Sequence, residues 1–139
     1  MIERVATGLP TREPARTLET APFWDAIAQG RFVLPHCEEC GEHFWYPRRF
    51  CPYCSSTSIA WPDVSGRGTV YSFTIIRKGQ GPYKDVGPYV LAIVELEEGP
   101  RLMTNVAATD PETVHVGQAV RVVLDPAGDT DAIFRFVPA

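Results

Sequence analysis

Apolar and polar positions alternate with the two-residue period of β-strands through much of the second half of the chain. Residues 68–76, GTVYSFTII, predict a strand with Tyr71, Phe73 and Ile75 on one face. Residues 89–96, YVLAIVEL, are apolar on both faces, which is typical of a central strand. Three more strands are predicted at residues 101–108, 118–124 and 133–137. Five strands with turns between them favour a small closed barrel, either an OB-fold or an SH3-like barrel, of which the OB-fold is the commoner.

The first half of the chain instead shows helical spacing of apolar residues over 20–30, TAPFWDAIAQG. Pro22 in the first turn and Gly30 after the last one favour a short helix between them. A helix this short is marginal alone, so we expect it to pack on another surface. The other expected segments are an extended or flexible arm over residues 1–18, a strand over 31–34 and a polar connector over 55–62.

Four cysteines follow one another in the pattern Cys-x2-Cys, ten residues, Cys-x2-Cys. Each pair can fold as a tight knuckle, and two facing knuckles place four thiolates at the corners of a tetrahedron, the geometry that Zn²⁺ prefers. Gly41 directly follows the first pair, where the backbone of a knuckle often needs a positive φ. The sequence therefore predicts a zinc site with the ligands Cys37, Cys40, Cys51 and Cys54.

Other uses of these cysteines have less support. Iron in a rubredoxin-like site takes the same ligands, and would make the chain an electron carrier. Two disulfides require an exported protein, and the N-terminus shows no secretory signal. A redox-active pair requires a thioredoxin-like βαβ context, which the pattern does not predict. His36 and His43 flank the cysteines as spare ligands or, more simply, as surface or knuckle-packing residues.

A zinc ion with four protein ligands has no open position for water or substrate, so we expect it to be structural. The binding free energy of such a metal contributes to folding. No nucleophile–base arrangement, Walker motif or dinucleotide fingerprint is suggested elsewhere, and the carboxylates Asp125, Asp129 and Asp131 are interpreted as local turn residues. The pattern thus favours a binding or accessory role. The expected division is an arm and helix over residues 1–30, a ribbon over 31–62 and a barrel over 63–139.

Aromatic side chains around the cysteines have two interpretations. They can cover a ribbon whose core is mostly metal, or they can form a protein-docking surface, since aromatic residues are enriched at interfaces. The N-terminal helix contributes to the second interpretation because it needs a surface to lie on. The candidate docking residues are Trp24, Phe44, Trp45 and Tyr46.

A second candidate region is the loop over residues 77–88, RKGQGPYKDVGP, which joins two predicted strands. It carries Arg77, Lys78 and Lys84 on a backbone rich in glycine and proline. Such a loop is either a cradle for an anionic ligand such as a phosphate or an ordinary solvated connection.

The formal net charge of −4 gives the chain no general attraction for nucleic acid. Arg48 and Arg49 form only a weak basic patch, because Glu38, Glu39 and Glu42 lie close by in the sequence. The longest apolar run, residues 89–94, is far shorter than the roughly 18 residues that suggest a membrane span. We therefore expect a cytoplasmic chain without a membrane segment.

The cysteine segment FVLPHCEECGEHFWYPRRFCPYC resembles the rubredoxin-like zinc ribbon of the DUF35 family. GRGTVYSFTII, GPYVLAIVELEEGPRLMTNV and VGQAVRVVLDP are similar to the OB-fold half of the same family. The resemblance covers residues 20–137. It implies a mostly β chain made of an N-terminal helix, a Cys₄ zinc ribbon and a five-stranded OB-fold barrel.

The resemblance also implies a non-catalytic subunit that binds a thiolase-superfamily partner, such as a thiolase, an aldolase or an acyltransferase. The subunit would help to form or support the partner's acyl-CoA site, and the partner would supply the catalytic residues. In that case the cations of loop 77–88 are candidates for contacting CoA, and the aromatic residues are candidates for docking. The alternatives are a stand-alone acyl-CoA-binding protein and, less consistent with the charge, a single-stranded nucleic-acid binder.

Overall fold

The computed structural model describes every residue from Met1 to Ala139. Helix α1 spans Ala21–Ala28, and no helix is long and apolar enough to cross a membrane. Strands β1 (His36–Cys37) and β2 (Ile59–Ala60) form a small antiparallel pair beside the cysteines. One larger antiparallel sheet contains β3 (Arg67–Ile76), β4 (Tyr89–Leu96), β5 (Arg101–Asn105), β6 (Ala119–Ala127) and β7 (Asp131–Pro138).

The larger sheet has the strand order β5-β4-β3-β6-β7 and curls until its two edges meet. Val106, just after β5, pairs in parallel with Phe136 of β7. The backbone N–H of Ala107 donates to the Phe136 carbonyl at 2.8 Å. A five-stranded, nearly closed barrel of this kind is an OB-fold. The predicted fold class, a mostly β chain with one N-terminal helix, is therefore confirmed.

A β-bulge changes the predicted face of one aromatic residue. The pairing of β3 with β4 shifts register between Val70 and Ser72, so Tyr71 has no partner. An extra residue on one strand reverses which side the following residues face. Val70 is 1% exposed and Tyr71 is 49% exposed, and packing against the core resumes at Phe73. The prediction that Tyr71 lies on the same face as Phe73 and Ile75 is wrong.

Helix α1 packs against the barrel through an aromatic cluster. This confirms the prediction that so short a helix packs on another surface. Gly30, just beyond the helix, has a φ of +82° that ends it. Phe23 and Ile27 are 0% exposed. The aromatic cluster consists of five rings whose neighbouring centroids lie 4.9–6.2 Å apart: Phe23, Trp24, Phe32, Trp45 and Phe134. The cluster joins the helix, the cysteine region and β7.

The strands of the cysteine region differ from the predicted ones. Residues 31–34 form no strand, because Val33 makes only an isolated bridge with Asp63. Phe32, Val33 and Leu34 are all buried, so this segment inserts between the cysteine region and the barrel instead of lying in a sheet. The predicted polar connector over residues 55–62 contains β2, which pairs with β1.

The N-terminal arm was predicted to be extended or flexible, and it is extended. Backbone hydrogen bonds hold it against β6. Val5 donates its N–H to the Leu124 carbonyl at 2.8 Å, and Leu124 donates to the Glu3 carbonyl at 2.9 Å. Arg4 and Leu124 form a parallel bridge. The arm thus adds a short backbone ladder to the barrel.

A buried ion pair lies beneath the arm. The side chains of Arg135 and Asp125 are 3% and 4% exposed, and Arg135 Nη1 donates to Asp125 Oδ2 at 2.7 Å. Thr7 of the arm donates its hydroxyl to the same carboxylate, and Arg135 Nη2 donates to the Pro10 carbonyl at 2.6 Å. The interpretation of Asp125 as a local turn residue is therefore wrong, because it binds a guanidinium on the neighbouring strand.

We predict that Asp125→Asn lowers the free energy of unfolding by about 3–5 kcal/mol, because it leaves the buried guanidinium of Arg135 without a compensating charge. Chemical denaturation followed by fluorescence measures the change. Glu95→Gln is the control, since it breaks only the exposed ion pair with Arg101 and should change stability little. Equal changes in the free energy of unfolding for the two variants would show that the buried ion pair contributes no more to stability than an exposed one.

Candidate metal centre

The two Cys-x2-Cys knuckles are built alike. Gly41 donates its N–H to the Cys37 carbonyl at 2.9 Å, and Ser55 donates to the Cys51 carbonyl at 2.9 Å. Each of these donors follows the second cysteine of its pair, and their φ angles are +78° and +66°. The predicted positive φ at Gly41 is confirmed. Ser55 has the same conformation although it is not a glycine, so the sequence gives no indication of it there. It follows from the second knuckle having the same geometry as the first.

The four sulfurs form a compact group that fits a tetrahedral metal ion. All four Sγ atoms lie within 4.8 Å of one another. Cys37 Sγ is 3.5 Å from Cys54 Sγ, and Cys40 Sγ is 3.6 Å from Cys51 Sγ. Zn–S bonds of about 2.3 Å place tetrahedral sulfurs roughly 3.8 Å apart, close to these distances. The cysteines form no disulfides, so the geometry supports the predicted metal site over the disulfide alternative.

The thiols of this group compete for negative charge. The backbone N–H of Cys40 lowers the pKa of Cys37 to about 6, against the opposing effect of burial. The backbone N–H of Glu42 lowers the pKa of Cys40, but desolvation of its sulfur and the neighbouring thiols outweigh this and raise it to about 12. Four adjacent thiolates therefore need a cation, and a bound Zn²⁺ would supply its positive charge.

The arrangement is suited to a structural metal. Cys37 and Cys51 are 0% exposed, and four protein sulfurs complete a tetrahedral shell. His36 and His43 lie outside the four-sulfur group and contact each other, with ring centroids 4.7 Å apart. His36 also bonds to Glu38 at 3.0 Å, so the two histidines pack the knuckle. A zinc ion held here would fix the two knuckles against each other.

The candidate docking residues are placed differently from one another. Phe44 is 1% exposed and packs with Cys37 and Cys51, so assigning it to a docking surface is wrong. Trp24 and Trp45 are half-buried in the aromatic cluster, whereas Tyr46 is 51% exposed. Docking by Trp24, Trp45 and Tyr46 stays a prediction.

The three cations of loop 77–88 are exposed, and they differ in their partners. Arg77 forms an ion pair with Glu112 at 2.6 Å, whereas Lys78 and Lys84 make no ion pair. Tyr83, in the middle of the loop, contacts the buried Arg135 through its hydroxyl at 3.3 Å. The loop is thus anchored to the barrel between its cations. Their role in ligand binding stays a prediction.

Known proteins match nearly the whole of this architecture. Residues 24–60 match the family model "ChsH2, rubredoxin-like zinc ribbon domain", and residues 61–125 match "ChsH2, C-terminal OB-fold domain". The chain is 36% identical over 108 residues to a DUF35 domain-containing scaffold protein of Methanothermobacter thermautotrophicus, covering 76% of this chain and 80% of that protein. The chain belongs to the DUF35 family. The family resemblance and the rubredoxin-like character of the ribbon are thereby confirmed.

Two further proteins are similar to this chain. A solved structure described as an Ltp2-ChsH2(DUF35) aldolase superposes with a TM-score of 0.81 and 31% identity, covering 90% of this chain and 98% of that one. A probable enoyl-CoA hydratase alpha subunit of Thermomonospora curvata is 35% identical over 112 residues. That match covers 81% of this chain but 34% of the hydratase subunit, so the similar region is about a third of that longer protein.

We predict that the purified chain contains one zinc ion and that Cys51→Ser removes it, because the remaining three thiolates leave the tetrahedral shell incomplete. Metal analysis measures the content, and hydrogen exchange should show loss of protection in the two knuckles with the barrel strands still protected. Ser56→Ala, a small change next to the knuckle that leaves all four sulfurs in place, is the control. A red protein would indicate iron, and full metal content in Cys51→Ser would contradict the four-sulfur site.

Proposed function

We propose that this chain is a non-catalytic subunit that binds a thiolase-superfamily enzyme and supports its acyl-CoA site. One observation carries the proposal. This chain superposes on 98% of a chain in a structure described as an Ltp2-ChsH2(DUF35) aldolase. Relatives described as scaffold proteins support a non-catalytic role. Two alpha subunits of CoA hydratases, each covered to 34% of its length, link the matched unit to CoA enzymes.

The chemistry of the chain's own residues supports a subunit without a reaction of its own. The four cysteines act as metal ligands, so none is available as a nucleophile. The buried charges of Asp125 and Arg135 neutralise each other and hold the arm in place. The catalytic groups of the assembly would then belong to the partner.

The exposed cations of loop 77–88 are the part of this chain that we assign to CoA. CoA carries phosphates, and Lys78 and Lys84 have ammonium groups that no carboxylate of the chain occupies. The cleft between the arm and this loop, lined in part by Leu9 and Val86, holds about 210 Å³. Ligand pockets usually measure roughly 300–1,000 Å³, so this cleft favours a site completed by a partner over a stand-alone acyl-CoA carrier.

The first test is capture of the partner. We expect a tag on this chain, expressed in its source organism, to recover a thiolase-superfamily protein that mass spectrometry identifies. Recovery of the chain alone with bound acyl-CoA would favour the stand-alone carrier. Recovery of nucleic acid that persists through nuclease and high salt would contradict the proposal.

The second test concerns the loop. We predict that the triple change Arg77→Ala, Lys78→Ala and Lys84→Ala weakens acyl-CoA binding by the complex by about 10-fold or more, since each charge-assisted contact to phosphate is lost. Calorimetric titration of the purified complex measures this.

The matched control for the loop is a triple change to alanine at Arg67, Arg101 and Arg121. These three exposed arginines of the barrel already pair with carboxylates, and their loss removes the same total charge. Equal affinity in the loop variant and the control would remove the loop from the acyl-CoA site.

A further inference from the structure

The ribbon carries two arginines that the metal centre and the barrel do not use. Arg48 and Arg49 are adjacent and form no ion pair with any carboxylate of the chain. Most other arginines of this acidic chain do form one, namely Arg16, Arg31, Arg67, Arg77, Arg101, Arg121 and Arg135. The intramolecular bond made by Arg48 goes instead to the backbone carbonyl of Tyr46, at 3.3 Å. Two guanidinium groups are therefore left for an external partner.

Both arginines line a groove between the ribbon and the start of the helix. The groove holds about 200 Å³, and its lining also includes Leu18, Pro22, Ile59 and Trp61. We call this feature the arginine groove. Leu18 is 78% exposed, although it is a large apolar side chain at the mouth of the groove.

The arginine groove carries net positive charge, and the ribbon segment that contains its arginines also exposes aromatic side chains. Glu19 lines it as well but makes no ion pair with either arginine, so the groove keeps an excess of positive charge. Three aromatic side chains of the same ribbon segment are exposed: Tyr46 at 51%, Phe50 at 50% and Tyr53 at 68%. Arginine, tyrosine and tryptophan dominate the binding energy of protein interfaces.

We propose that the arginine groove is the docking site for an acidic segment of the partner protein, one that carries carboxylates beside an apolar side chain. Guanidinium groups bind carboxylates through paired hydrogen bonds, and Leu18 with Trp61 supplies the apolar contact. This inference rests on the proposed function for the existence of a partner. It goes beyond that function by giving the surface and the chemistry that recognise the partner.

Two other features of the surface explain this choice of occupant. Glu38, Glu39 and Glu42 are exposed on the first knuckle, and with the net charge of −4 they disfavour the long polyanion of a nucleic acid more than a short acidic segment. The outer face of the barrel has an apolar depression that includes Ile93 and the 64% exposed Met103. That face offers no unpaired charge to select a partner, so it is the competing surface in the test below.

The test uses the thiolase-superfamily protein recovered with the wild-type chain, purified and titrated at low and high salt. We expect the change of both Arg48 and Arg49 to alanine to weaken binding by about 10-fold or more and to reduce its salt dependence. Leu18→Asp should weaken binding similarly. Because the Leu18 side chain is exposed, this substitution should leave the fold intact. The control changes Arg67 and Arg121 to alanine, two exposed arginines that face each other on β3 and β6, and should keep wild-type affinity.

Zinc content and thermal midpoint of each variant show whether the ribbon is intact. Wild-type affinity in both the double arginine variant and Leu18→Asp would overturn the docking site and leave the proposed function standing. Loss of binding by Met103→Asp, with the groove variants unaffected, would overturn it in favour of the barrel face. Recovery of no thiolase-superfamily protein by the wild-type chain would overturn the proposed function, and the docking site with it.

Discussion

The burial of Phe23 at the centre of the aromatic cluster is the interaction on which the rest of the structure depends. Its ring lies 4.9 Å from Trp45 of the ribbon and 5.7 Å from Phe134 of the barrel. An eight-residue helix and a pair of two-residue strands are each too short to be stable alone. The cluster gives both a common apolar surface, and the metal centre then has only to hold the two knuckles. The cluster therefore packs helix, ribbon and barrel against one another.

The features that the sequence predicts well are the local ones. The spacing of the cysteines indicates the four-sulfur site, and the two-residue period indicates the barrel strands. The features it missed depend on distant residues. The bulge at Tyr71 is an irregularity of pairing between two strands, and the partner of Asp125 is Arg135 on the next strand. Neither the bulge nor the ion pair can be recognised from the residues immediately around it in the sequence.

The candidate surfaces show the same limit. Phe44 and Tyr46 are two positions apart in a run of aromatic residues, yet one is 1% exposed and the other 51%. Arg48 and Arg49 have three glutamates nearby in the sequence, and only the folded chain shows that none pairs with them. Burial and pairing of side chains are tertiary properties, so a docking surface cannot be assigned from residue types alone.

The central claim is that this chain completes an acyl-CoA site that belongs mainly to another protein. Calorimetric titration of acyl-CoA into the isolated chain, the isolated partner and their complex tests this claim most directly. We expect negligible binding by this chain alone and tighter binding by the complex than by the partner. Tight binding by the isolated chain, or equal affinity of the partner with and without it, would contradict this role as an accessory subunit.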